Sequence, residues 1–410
     1  GRDLYIWQYG QFFQQTRHFG TKPAFVSNGI FALFAQDDIA IPLYKAGKLN
    51  ARVGARGDYD TYMGKATFAP RFSLNYEAMW NEWDKGHNFA TQITFGANRY
   101  YAQNLYAYAL QNIQYSTMNA LWRDSPDKSW QSILASGVKC STTIKTNCIE
   151  PYGNSTKFNK LKIPYTDELM AGIAQRIFDI SLGLKYIYRE GKDDIRYVSS
   201  QTAKLPTDPN YRSTYYTYTN AGKSWSNIFT LSITHDTPLE SGGVKHYTSF
   251  NVDWTQVRRN YIDYASAISV SQLEDSDILY EGKVVPYSQR PASNFVRPFT
   301  LRLNTTHSFN IGKFKWLLNN FFRYRASYDA MALISQAGRT PSTTGAVKDQ
   351  YKPQYKDYAQ YGAQTLAGAF SWDMRLGFEV SVHKTNTLYM NVDIYNVLDS
   401  KNPTIATANY

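Results

Sequence analysis

The 410-residue sequence contains no apolar run near the ~18 residues that a membrane-spanning helix needs, and its mean hydropathy is −0.48. A helical membrane protein is excluded. Cysteine is scarce: Cys140 and Cys148 stand alone in a polar stretch with no histidine close by. That spacing predicts a small disulfide-closed loop in an oxidising exterior, and no metal site. No signal peptide precedes the strand pattern that follows Gly1-Arg2-Asp3, so the expectation is a mature chain or a fragment. The net charge of +11 is not gathered into a stripe, and no nucleic-acid recognition motif is present. Nucleic acid is therefore not an expected partner. Lipopolysaccharide or an acidic protein remains.

Aromatic residues are abundant, with 34 Tyr, 22 Phe and 9 Trp. From Leu366 to Val382 every second position is apolar or glycine, including Phe370, Trp372, Leu376, Phe378 and Val380. The positions between are small or charged, among them Asp373, Arg375 and Glu379. After a polar turn the alternation resumes through Leu388, Met390, Val392 and Ile394. Period two places one set on each face of a strand. The first run is longer than the ~9–11 residues that cross a bilayer at a tilt. Charges on one face and large apolar groups on the other predict an all-β, transmembrane antiparallel barrel with aromatic girdles. A soluble all-β protein with solvated edges is the competing reading, and it leaves such long, ring-rich alternation unexplained.

Further strands are expected at Leu4–Phe12, Ile30–Ile41, Leu49–Tyr59, Phe68–Trp80, Phe89–Tyr101, Tyr165–Phe178, Ile180–Tyr188, Trp225–Ile233, Val244–Trp254, from Phe299, and Phe314–Tyr324. Long polar loops cover about 15–28, 102–164, 190–223, 258–297 and 326–365, with a helix expected over Leu105–Met118. Short turns alternate with long loops, as when turns face the periplasm and loops face outside. About thirteen strands result, where bacterial single-chain barrels usually hold an even number. The expectation is a partial barrel spanning 1–410 and lacking at least one strand.

Four segments resemble TonB-dependent outer-membrane receptors. Phe34-Ala35-Gln36-Asp37-Asp38-Ile39 is similar to that family's F-x-Q-D segment, and Gly54-Ala55-Arg56-Gly57-Asp58-Tyr59 to the G-x-R-x-D strand after it. Phe68-Ala69-Pro70-Arg71 resembles the F-x-P-R strand that follows, and Val392-Asp393-Ile394-Tyr395-Asn396-Val397-Leu398-Asp399 the ending of the penultimate strand. The resemblance implies a barrel of about 22 strands, of which roughly the ninth to the twenty-first are represented. It implies capture of a metal-bearing ligand and its import, driven by the TonB energy-transducing complex acting on a plug domain. Neither a plug nor a TonB box is visible here. A second likeness, Asn98-Arg99-Tyr100-Tyr101 with Asn104-Leu105 and Tyr108-Ala109-Leu110, is to receptors that take iron, haem or zinc from host proteins. A passive porin is the alternative; an adhesin or secretion barrel would need a passenger domain.

Of six histidines, His87, His235, His246, His307 and His383 lie in or beside short turns, and only His18 lies on an outward loop. His18 is a candidate ligand contact or simply a solvated loop residue. Tyr211, Tyr215, Tyr216 and Tyr218, with Tyr351 and Tyr355, suit a protein-binding surface or the aromatic top of extended strands. Lys139 and Lys145 give the cysteine loop a basic cast. Arg302, Arg323, Arg325, Asp373, Arg375 and Glu379 are expected to line the lumen, against a plug or as a selectivity lining. No resident cofactor or metal is expected; the transported ligand would carry iron, haem or zinc. No Ser/His/Asp order or carboxylate pair stands at a common strand top, so no enzyme is expected.

Overall fold

The computed structural model describes residues 15–401 except 20–24, 84–88, 103–105, 107–108, 111–112, 114–116, 152–155, 209–210, 212–213, 262–269, 291–298, 342–346 and 384–385. The expected strand Leu4–Phe12 and most of the expected helix Leu105–Met118 lie outside the described residues.

In chain order the strands are β1 (Gln15–Phe19), β2 (Ile30–Pro42), β3 (Gly47–Asp60), β4 (Lys65–Ala78), β5 (Phe89–Tyr101), β6 (Met118–Trp122) and β7 (Cys148–Pro151). Next come β8 (Thr156–Lys157), β9 (Tyr165–Ile177), β10 (Ile180–Ser199), β11 (Tyr216–His235), β12 (Leu239–Ser241), β13 (Val244–Arg259) and β14 (Asp277–Tyr280). The last are β15 (Lys283–Pro286), β16 (Phe299–Ile311), β17 (Phe314–Arg325), β18 (Tyr328–Ser335), β19 (Ala359–Leu366), β20 (Ala369–His383) and β21 (Asn386–Ile394).

Twelve of these form one antiparallel wall, in the order β2-β3-β4-β5-β9-β10-β11-β13-β16-β17-β20-β21. They are the twelve strands expected after Leu4–Phe12. Turn chemistry closes the hairpins tightly. Gly242 and Gly243, both at positive φ (58° and 78°), join β12 to β13 in a two-residue turn, the left-handed backbone that glycine adopts without strain. Phe178 takes φ 50° in the equally short β9–β10 turn.

The register sorts the wall into two faces. Arg302, Arg323 and Ser371 are successive cross-strand partners, as are Asn319, Arg375 and Asp393. All six expected lumen residues therefore share one face with Asp38, Arg52, Glu168, Arg189 and Asp253. Ion pairs run along it: Asp38–Arg52, Glu168–Arg189, Asp253–Arg302, Lys315–Glu379 and Arg375–Asp393. One row, Met170–Ile187–Ile228, is apolar. The other face carries Phe31, Leu33 and Leu169, exposed at 68%, 80% and 57%. Such large apolar side chains facing out on a continuous wall require lipid against them. Rings collect near both ends of that face: Phe314, Trp316 and Phe378 below, Trp254, Phe299 and Tyr324 above. Higher still it turns polar, with Arg99 paired to Asp167 at 2.6 Å and Lys192 to Glu190 at 2.9 Å. The lipid zone ends there.

The stretches expected as long loops hold structure of their own. β10 and β11, 20 residues each, run on past the lipid zone and stay paired up to Ser199 and Tyr216. β1-β6-β7 make a small sheet, and β15-β14-β19-β18 make another. Their hydrophobic residues bury one another: Tyr62, Met63, Leu161, Ile163, Ile195 and Tyr218 form one cluster, Val198 and Tyr261 a second, and Ala332, Ile334 and Val347 a third. The molecule has its packed core in this cap.

Candidate ligand vestibule

Where the wall meets the cap, the tops of β2 to β5 bound a cavity of about 380 Å³. Arg56, Asp58, Arg71 and Tyr100 enter it from the inner face, and Asn28, Tyr106 and Ile163 close it from the cap. Period two brings these groups together. Arg71, Asn98, Glu168, Arg189 and Ser226 are successive cross-strand partners on β4, β5, β9, β10 and β11.

Their chemistry is graded across the row. Glu168 is 7% exposed and accepts hydrogen bonds from Arg189 Nε at 2.7 Å and the Tyr100 hydroxyl at 3.3 Å. That carboxylate is satisfied. Arg56 is held by Asp58, Nη2 to Oδ1 at 2.7 Å. The Arg71 guanidinium lies 5.6 Å from the centre of the Tyr100 ring, and among the described residues no carboxylate is paired with it. A cation on an aromatic face with its fork of donors directed into a cavity suits a planar anionic group. Deeper under the cap, Arg196 stacks on the Tyr261 ring at 3.6 Å, and the Tyr261 hydroxyl donates to Asp194 at 3.1 Å.

The residues singled out from sequence fall into three groups. Among the lumen set, Arg302 pairs with Asp253, and Arg323 Nε lies 3.4 Å from the Ser371 hydroxyl. Asp373 accepts from the Asn396 amide at 2.8 Å, and Arg325 closes the top of β17 opposite Ala369. None of these lines the cavity. In the second group, Cys140 and Cys148 are bonded, closing a loop on which Lys139 and Lys145 are exposed. The third group is the cap tyrosines and His18. Tyr215 and Tyr218 are buried, the first donating to the Pro206 carbonyl and the second lying in the main cluster. Tyr216 stacks on Tyr197 at 4.8 Å, and Tyr211 packs on Tyr215 beneath Lys157. Asp208 holds the Lys157 ammonium above the usual lysine range. Tyr351 packs against the third cluster, and Tyr355 rests on Tyr358. His18, half-buried, sits in β1 opposite Asn119, and no cluster of three metal-ligating side chains occurs among the described residues.

Tyr100, Glu168 and Arg189 were not singled out from sequence as ligand contacts. A signal existed: Arg71 ends the F-x-P-R match and Tyr100 lies in the second likeness, but their meeting across β4–β5–β9 depends on register.

No family model matches the chain. It is 28% identical over 371 residues to YddB of Escherichia coli K12, a protein described as uncharacterized; the match covers 88% of this chain and 39% of YddB. The crystal structure of the E. coli outer membrane transporter YddB superposes with a TM-score of 0.73 and 24% identity, covering 99% of this chain and 46% of that one. The siderophore receptor PirA of Acinetobacter baumannii gives a TM-score of 0.47 at 13% identity, over 91% of this chain and 42% of its own. The chain thus spans less than half the length of the relatives it matches, and its strands form the transmembrane antiparallel wall of an outer-membrane barrel with a folded cap at one end.

Proposed function

We propose that the chain supplies much of the barrel and the cap of a TonB-dependent outer-membrane receptor, which captures a metal-bearing ligand outside and imports it to the periplasm. The observation that carries this reading is the cavity where the wall meets the cap: Asn28, Tyr106 and Ile163 of the cap close a pocket whose inner-face lining includes Arg71, a cation with which no carboxylate among the described residues is paired. A passive pore gains nothing from a packed roof over its mouth. The scale of the cap, with its own sheets and clusters, supports a ligand of protein size whose iron, haem or zinc is the cargo. The basic cysteine loop supports an acidic face on that ligand. Import would run through a plug and the energy-transducing complex. Arg99 and Lys192, outward-facing above the lipid zone, support contact with lipopolysaccharide head groups.

The test is uptake. Cells lacking the full-length gene are compared with wild type for growth on single iron, haem and zinc sources, with and without the energy-transducing complex. Loss of growth on one source, reproduced by removing that complex, supports the reading. Unchanged growth on every source, with free solute passage through the purified protein in liposomes, would favour the passive channel. Deleting Lys139–Lys162 would remove β8 and Leu161 from the cap, so charge reversal is the cleaner probe of the loop. The double change Lys139→Glu with Lys145→Glu is expected to weaken ligand binding about tenfold at low salt, an effect that shrinks at high salt as screening takes over. Titration of labelled ligand onto whole cells reads it.

A further inference from the structure

Low on the lipid side of the wall, beside the β12–β13 turn, a pair of histidines interrupts the apolar pattern. His246 on β13 and His307 on β16 are direct cross-strand partners, with their Nδ1 atoms 2.7 Å apart. The rings meet edge to face, centroids 4.9 Å apart. One step up the same face stand Thr248, Thr305 and Asn320, where Leu303 and Phe322 resume the apolar pattern above. Asn320 donates to Thr305 at 3.3 Å and accepts from the Trp372 indole at 3.1 Å. These polar groups satisfy one another. Among the described residues, the hydrogen bond shown for the two histidine rings is the one to each other.

We infer that His246 and His307 form a two-nitrogen site for a divalent transition-metal ion at the periplasmic edge of the barrel. Neutral imidazole nitrogens suit copper and zinc far better than calcium or magnesium. Metal–nitrogen bonds of about 2.0–2.1 Å at a tetrahedral angle place two nitrogens about 3.4 Å apart. The two nitrogens therefore part by about 0.7 Å, within ordinary side-chain adjustment on fixed strands. In the empty pair one ring donates its Nδ1 proton to the other; with metal bound both rings carry the proton on Nε2, so no net proton is lost. His246 lies two residues above the end of β13 and His307 four above the end of β16. At ~3.3 Å per residue and a ~45° tilt, that is about 5–9 Å above the hairpin tips, within reach of interfacial water for the open positions. The Lys245–Glu240 ion pair marks that polar edge. His235 lies on the same face, but its Nδ1 contacts the Thr237 carbonyl, so the site is a pair. This inference is independent of the transport reading.

The experiment uses the full-length protein in detergent, titrated with Cu²⁺ alone and read by electron paramagnetic resonance, with Zn²⁺ competing. One saturable site showing two-nitrogen coupling is expected, with affinity falling at least about tenfold in His246→Asn and equally in His307→Asn. Heat-modified mobility on a gel confirms that both variants form the barrel. Copper bound identically by wild type and both variants would overturn the site, placing the metal on another histidine. No saturable binding by a correctly folded wild type would also overturn it, leaving a histidine–histidine hydrogen bond only.

Discussion

The wall and the cap obey opposite packing rules. In the wall, Phe31, Leu33 and Leu169 are exposed, and neighbouring side chains are joined by ion pairs and cross-strand hydrogen bonds. In the cap, Met63, Met118, Val198 and Ile278 are sealed from any solvent. The wall borrows its hydrophobic partner from the membrane, so its own side chains need no interior. The cap stands in water and must build one. Backbone hydrogen bonding binds the wall along its strands, whereas side-chain packing binds the cap.

The largest effect should come from breaking the cap's packing. Tyr218, 5% exposed, meets Met63, Leu161 and Ile195, and its ring lies 5.3 Å from that of Tyr197. Tyr218→Ala removes a buried ring, a change that costs about 3–5 kcal/mol in a packed core. The expected outcome is a cap readily cut by external protease in a barrel that still resists denaturation on a gel. Coincident loss of both would show that wall and cap fold as one unit.

A smaller effect separates the two faces of the wall. Ile233 and Thr230 both lie on β11, Ile233 outward between the two aromatic girdles, opposite Phe250, and Thr230 inward opposite Asp253. Ile233→Arg puts a charge against lipid at about 2–4 kcal/mol near the bilayer centre. Thr230→Arg puts the same charge into the lumen beside a carboxylate, where the cost should fall within about 1 kcal/mol. Urea unfolding in lipid vesicles measures both. Equal costs would dissolve the assignment of faces.

What could be read from sequence divides along the same line. The wall announces itself locally: alternation at Phe370, Trp372, Leu376 and Phe378 suffices to place β20 and its inward charges, and the register puts Arg375 opposite Asp393 as the pattern demands. The cap hides because its pairings are distant. β8 is two residues long and joins β11 in parallel, 60 positions away. β14 finds β19 in parallel across some 80 residues. Neither has a period to detect. Met63 sits in a four-residue turn that looks solvated until Leu161 and Ile195 close on it. The alternation along β10 also fails where the strand leaves the membrane, with register shifts between Gly191 and Arg196. The vestibule falls between these cases, since its residues lie on legible strands but meet only through register.

The smallest expected effect tests whether the inner ion pairs support the wall at all. Arg375 and Asp393 lie at 2.5 Å, with side chains 51% and 33% exposed. Pairs so open to water contribute little, because solvent screens the attraction and ordering two side chains opposes it. The strands beneath them are already joined by a backbone ladder running from Met374–Ile394 to His383–Asn386. Arg375→Met should therefore leave unfolding of the full-length barrel close to wild type in low salt, with any difference vanishing at high salt. A loss of several kcal/mol would mean that Arg375 holds more than Asp393, namely a group inside the lumen contributed by another part of the protein. Combining the change with Asp393→Asn separates the two cases. If the pair itself is what matters, the double variant is no worse than either single one; if Arg375 engages a second body, its cost persists whether or not Asp393 is present.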